Sequence, residues 1–153
     1  MFESFSFILL ICVQCQDSLS RLKPAYQSST YDYYNITGAE LAVDGKTNGI
    51  FNDGSCSHTN NNVPSWWKVD LLKEAIISNI LIYNRIDMEH QRLIGAYVQL
   101  LDSSDNVLIN CTVITEYQPL YNISCIPWKT RKVQIQMERN EYLTLCEVEV
   151  YGK

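Results

Sequence analysis

The feature that most constrains this chain is a succession of short stretches rich in Val, Ile, Tyr and Trp, at 66–72, 76–84, 96–101, 107–114, 133–137 and 143–151, with no sustained helical period between them. β-Branched and aromatic side chains suit the pleated, half-buried face of a strand. Turn signals punctuate the runs: Asp44-Gly45, Asp53-Gly54 and the polar stretch Asp102-Ser103-Ser104-Asp105-Asn106. Strands in such a series pair antiparallel, so the expected fold class is all-β, an antiparallel β-sandwich with binding loops at one end. At 153 residues the chain suits one domain with a real hydrophobic core. Residues 42–65 break the pattern as a long irregular stretch of Asn, Asp, Gly and Ser, and long loops in compact domains are usually functional.

Residues 5–13 form an apolar run, too short for the about 20 residues that a bilayer span needs. Its position reads as a secretory signal peptide, approximately residues 1–18, cleaved between Cys15 and Ser20 to leave a domain over 19–153. Glu3 departs from that pattern, standing where a basic residue is usual. No later segment is apolar enough for a membrane helix, so a secreted, extracellular chain without an integral membrane segment is expected. Loss of the leader removes Cys12 and Cys15. Four cysteines remain, Cys56, Cys111, Cys125 and Cys146, which in an exported domain implies two disulfides with three pairings open. Three sequons, at Asn35, Asn110 and Asn122, agree with export and mark glycosylation sites. A formal net charge of −5, with no basic run, argues against nucleic acid as a partner.

Two clusters could carry chemistry. Arg85 follows the strand-like 80–84 where it opens into a loop, Asp87 and Arg92 lie in that loop, and His58 sits in the long loop upstream. Arginines hold planes of donors that suit vicinal sugar hydroxyls, and a histidine can donate or accept beside them. The alternative is a surface ion pair, Arg85–Asp87 or Arg92–Glu89, with His58 solvated. The second cluster is acidic: Asp44, Ser55 and Glu147, with the carbonyls of a curled loop from Leu41 to Ser55, could form an oxygen shell for calcium. Asp-Gly is equally a common turn dipeptide. In Trp66-Trp67 adjacent side chains point to opposite faces of a strand, so at most one tryptophan faces the core.

Taken in order, these residues resemble the F-type lectins, the fucolectins of the eel-agglutinin kind, from about residue 25 to 152. The resemblance rests on His58, Arg85-x-Asp87 and Arg92. It is reinforced by Ala42-Val43-Asp44-Gly45, Gly54-Ser55-Cys56-Ser57-His58, Trp66-Trp67-Lys68-Val69-Asp70-Leu71 and Leu145-Cys146-Glu147-Val148-Glu149-Val150. It implies a jelly-roll of the galactose-binding-domain type that binds terminal L-fucose on glycans through His58, Arg85 and Arg92, with Asp87 bracing an arginine. It also implies a structural Ca2+ on Asp44, Ser55 and Glu147 with the carbonyls of Leu41, Lys46 and Cys146, and the pairing Cys56–Cys146 and Cys111–Cys125. Some members carry adjacent cysteines after Arg-x-Asp. Here Met88-Glu89 stands there, so an apolar contact at that point falls to Met88. Phe51 fits the apolar platform beside the sugar, with Tyr31, Tyr33 and Tyr34 as further candidates. The implied role is a host-defence agglutinin acting as a homo-oligomer on fucosylated glycans. A discoidin or coagulation-factor C-type sandwich, binding lipid headgroups, galactosides or protein, shares the Trp-x-x-Val-Asp-Leu pattern but needs no His58/Arg85/Arg92 set. Neither a supported pair of facing carboxylates nor a Gly-x-Ser-x-Gly elbow is present, so no enzyme is expected.

Overall fold

The computed structural model describes residues 16–31 and 36–153. Most of the expected leader, together with Tyr33, Tyr34 and Asn35, lies outside the described residues. The strands are β1 (Ala25–Gln27), β2 (Ser57–His58), β3 (Ser65–Tyr83), β4 (Tyr97–Leu101), β5 (Val107–Val113), β6 (Leu120–Met137), β7 (Thr144–Leu145) and β8 (Glu147–Gly152). Among the described residues, no helix is long and apolar enough to cross a membrane.

The organising element is one long antiparallel ribbon, β3 with β6, folded back on itself. Its register breaks between Asp70 and Ala75, where Leu72 adopts a left-handed φ of 65°. The halves become two layers. The first half of β3 pairs with β1 and with the second half of β6, which continues through β4 to β5. The second half of β3 pairs with the first half of β6 and, on its other side, with β8. The runs at 66–72 and 76–84 are thus halves of one bent strand. The run at 133–137 is the end of a strand beginning at Leu120, and 143–151 divides at Cys146 into β7 and β8.

The burial pattern follows the pleat. Trp67, Val69 and Leu71 point inward from the first half of β3 and Ile77, Ile80 and Ile82 from the second, the irregularity between Ile77 and Asn79 switching the parity. They meet Val98, Val133, Ile135, Val148 and Val150 in one core. Trp67 is fully buried, its indole N–H donating to the Ala39 carbonyl at 2.9 Å, while Trp66 lies on the outer face with the Lys68 ammonium over its ring.

Disulfides join Cys56 to Cys146 and Cys111 to Cys125. The first spans a sequence separation of 90 and so limits the unfolded chain by about 4–5 kcal/mol in the chain-entropy account. It also brings the long irregular loop onto the start of β8, which places the functional end of the sandwich.

Candidate functional site

At this end the irregular loop curls into short 3-10 turns at Ala39–Val43 and Phe51–Asp53, the latter closed by Gly54 at φ 69°. β2 then sets His58 opposite Thr144 of β7. The segment after β3 packs against the same loop: Ile86 donates its amide to the Gly49 carbonyl, and a Cβ on Gly49 would lie 2.8 Å from the Asn84 carbonyl oxygen. Only glycine permits that approach. Asn84 is buried and its amide reaches the carbonyls of His90 and Gln118, which fixes the turn carrying Asp87 to Arg92.

These elements surround a cleft of about 330 Å³ lined by His58, Arg85, Arg92, Phe51, Tyr31 and Tyr142, with Met88, Glu89 and Asn52 at its rim. The three residues of the expected motif come together in it with Phe51 and Met88, and Asp87 lies behind. His58 is 3% exposed. Its Nδ1–H donates to the Thr59 carbonyl at 2.7 Å, which leaves Nε2 to accept from Arg92 Nη1 at 3.2 Å. Burial first, and then the charges of Arg92 and Arg85 against the Thr59 hydrogen bond, lower its pKa to about 4. The ring is therefore neutral at physiological pH.

Arg85 is not an exposed loop residue, as a position just beyond a strand suggests, but 5% exposed. Its Nε donates to Asp87 Oδ1 at 2.6 Å and its guanidinium lies over Phe51, 4.4 Å from the ring centre. Burial opposes the charge on Asp87, but the hydrogen bond and charge of Arg85 outweigh it and hold the carboxyl below its ordinary value. Arg92 stands over Tyr142 at 4.8 Å, flanked by Glu89 at 3.5 Å and Glu141 at 3.7 Å. Both ion pairs that the sequence offered as alternatives to a binding role exist, yet they orient the arginines toward the cleft, and His58 is buried instead of solvated. Tyr31 and Tyr142 pack around the imidazole with ring centres 4.7 and 5.3 Å away. A wall of aromatic faces beside fixed guanidinium donors is the arrangement that takes a small polyhydroxylated ring.

A protein family described as NedA-like, galactose-binding domain, matches residues 41–135. Fucolectin-1 of Anguilla japonica is 39% identical over 72% of this chain and 65% of its own length. The fucolectin of Anguilla anguilla is 33% identical over 73% of this chain and 75% of its own. A fucose binding module of Streptococcus pneumoniae superposes with a TM-score of 0.82 at 35% identity, covering 89% of this chain and 95% of the module. The chain belongs to the F-type lectin family. It spans just under two thirds of Anguilla japonica fucolectins 1, 5 and 6, at 65%, 61% and 62% of their lengths. By name, the first three of these matches are two fucolectins and a fucose binding module.

Next to the cleft, this F-type lectin carries a second polar cluster. Glu147, 1% exposed, accepts the Gly45 amide on Oε1 at 3.2 Å, while Oε2 is buried with no hydrogen-bond partner among the described residues. Burial pushes its pKa up to about 8, against the Gly45 hydrogen bond and with help from the Asp44 and Glu149 charges. Asp44 receives the Lys46 amide at 2.8 Å and opens the turn in which Gly45 sits at φ 85°. Ser55 donates to the Asn48 and Ile50 carbonyls, which leaves its oxygen able to serve as a ligand. Leu41 belongs to the 3-10 turn before Asp44, and Cys146 adjoins Glu147. An orphaned, buried carboxylate oxygen beside a second carboxylate is a place for a hard cation, so the residues present fit calcium.

Tyr142 and Asn84 carry no motif, and the sequence did not single them out. The available signal for Tyr142 was an aromatic residue just ahead of the strand that pairs with His58.

Proposed function

We propose that this protein is a secreted, calcium-stabilised lectin that holds the terminal L-fucose of glycans between His58, Arg85 and Arg92 and acts as a multivalent host-defence agglutinin. The observation that carries this reading is the convergence of a neutral histidine and two braced, ring-stacked arginines on one cleft of monosaccharide size. The arginine N–H groups meet the sugar hydroxyls as donors, His58 Nε2 accepts from a hydroxyl, and Phe51, Tyr31, Tyr142 and Met88 supply apolar contact for the ring and methyl faces. The named ligands of the related modules support the same choice. A discoidin-type reading has no use for this set. Asp87 is a positioning residue that keeps Arg85 aimed. Calcium, held by Asp44, Ser55 and Glu147 with loop carbonyls, neutralises the buried carboxylates and so ties the irregular loop to β8.

One fucose at roughly 0.3–0.5 kcal/mol per heavy atom reaches only about 4–5 kcal/mol, a dissociation constant on the order of 1 mM. Adhesion to a cell surface then requires several linked sites, which implies a homo-oligomer. For a leader of approximately residues 1–18, the ties of the Ser18 and Ser20 hydroxyls and the Leu19 amide to Val148 and Val150 of β8 support a cleavage point in the early part of the Cys15–Ser20 window. Asn110 and Asn122 are both exposed and open to glycosylation, and Asn35 belongs to the same proposal.

Immobilised fucose, with and without a chelator, tests the reading. Retention on L-fucose resin, release by millimolar fucose and loss of retention in Arg92→Ala are expected. Equal retention on galactose resin, or an Arg92→Ala protein that elutes like the parent, would overturn the assignment.

A further inference from the structure

The fold of the β3–β6 ribbon lies at the far end of the sandwich from His58. At the ordinary rise per residue it is about 20–25 Å away along either half of β3, both of whose ends reach the cleft side. Two leucines have backbones that leucine rarely adopts: Leu72 in the fold itself, at φ 65°, and Leu22, at φ 55°, which lines one shallow cleft with Lys73 of the fold; their side chains are 53% and 75% exposed. A left-handed backbone costs a residue with a bulky side chain free energy that glycine or asparagine would avoid, and an apolar side chain in water adds a second cost. The backbone turns are held by hydrogen bonds, the Leu22 amide to the Val43 carbonyl and the Leu72 amide to Asp70 Oδ1, yet both side chains stay in water, and an outlier of this kind points to function. Trp128 and Ile76, on the same folded stretch, are exposed at 48% and 40%.

The surroundings are basic on a chain whose net charge is −5. Arg21, Lys23 and Lys73 line one shallow cleft with Leu22 and a single carboxylate, Asp17. Lys23 and Lys73 form no ion pair among the described residues, whereas the Arg21 guanidinium lies against Gly45 and its charge acts on Glu147. The nearby carboxylates Glu74 and Asp70 are already taken, at 2.6 Å each, by Lys129 and Arg131.

We propose that this end docks on an anionic lipid surface, with Leu22, Leu72 and Trp128 entering the interface and Lys23 and Lys73 facing the headgroups. A second copy of the chain is disfavoured as the occupant, because a two-fold contact would set the same cations against each other. Docked in this way, the cleft faces away from the membrane toward an opposing surface. The proposal is independent of what the cleft binds.

Co-sedimentation of the whole secreted protein with synthetic glycan-free vesicles tests it. Phosphatidylserine-containing vesicles should carry the protein down at low salt and release it at high salt, and pure phosphatidylcholine should not. The double variant Leu22→Asn/Leu72→Asn, whose new side chains tolerate the left-handed backbone, should lose at least about tenfold in vesicle affinity with an unchanged melting curve. Lys73→Glu should also weaken binding. Absence of binding to phosphatidylserine, equal binding to phosphatidylcholine, indifference to the leucine pair, or a Leu22- and Leu72-dependent dimer that excludes vesicles would each overturn the proposal.

Discussion

The His58 cleft and the Asp44–Glu147 junction are neighbours, bridged by the Cys56–Cys146 disulfide, yet they treat charge in opposite ways. In the cleft each charged group has a partner inside the protein: Arg85 has Asp87, Arg92 has two glutamates, and His58 is held neutral between a carbonyl and a guanidinium. Asp87 Oδ2, like Glu147 Oε2, is buried without a hydrogen bond among the described residues, but its carboxylate has the Arg85 counter-charge at 2.6 Å, so this site favours a neutral ligand that exchanges places with water. At the junction, Glu147 keeps a buried oxygen with no hydrogen bond and a carboxyl forced toward its neutral form. In the proposed reading, calcium completes that site. Two sites of similar polarity are therefore distinguished by whether their charges close among themselves.

The strongest way to break this contrast is to open the closed network. Asp87→Ala leaves Arg85 buried without a counter-charge and should cost about 3–5 kcal/mol of stability in chemical denaturation. Arg92→Ala, at a side chain 17% exposed, should cost under about 1 kcal/mol in the same experiment. Equal losses would mean that the cleft is not closed around Arg85. Titration with free fucose comes next: Arg92→Ala should lose about 1.5–3 kcal/mol of binding, roughly 10- to 100-fold, as removal of a charge-assisted donor demands. Calcium sharpens the other half. At ten times its dissociation constant it should add about 1.4 kcal/mol of stability, a rise of a few degrees in melting temperature, and Glu147→Gln should abolish that response.

The two sites also differ in the sign of their pH dependence. The Glu147 pKa is raised from 4.5 to about 8, so its contribution in chelator is greatest below 4.5 and is lost as pH rises toward 8; calcium should remove that decline. The His58 pKa is lowered from 6.5 to about 4, so the unfolded chain takes up a proton that the folded one refuses, and stability should fall as pH drops from 6.5 toward 4. This is the smallest effect near neutrality, and His58→Gln should flatten it. A melting temperature that changes in the same direction at both sites would contradict the contrast.

Much of this was legible from residue types and their order. Runs rich in Val, Ile, Tyr and Trp announced the two halves of β3, and β4 and β5, and the adjacent tryptophans divided between core and surface as the pleat requires. The family resemblance carried the disulfide pairing and the cleft residues, which spacing alone left open between a binding site and ion pairs. The first half of β6 escaped notice because Asn122, Ser124 and Pro127 interrupt its apolar positions and it is buried on one side only. The bend at Leu72 escaped too, since leucine does not advertise a left-handed backbone. Burial of Arg85 was hidden for a different reason: the groups that cover it, Phe51 and the backbone near Gly49, come from a loop distant in sequence, and no local pattern records that meeting.

The folded ribbon has a consequence for the order in which the protein matures. Both ends of β3 reach the cleft side, so the cleft cannot exist until the ribbon has doubled over and β8 has joined it. Pairings between such distant parts of a chain are slow to form, because loop closure precedes the contacts that reward it. Sugar binding should therefore be the last property to return during refolding, lagging behind strand formation followed by circular dichroism. Fucose resin would then retain only molecules that have completed the whole fold.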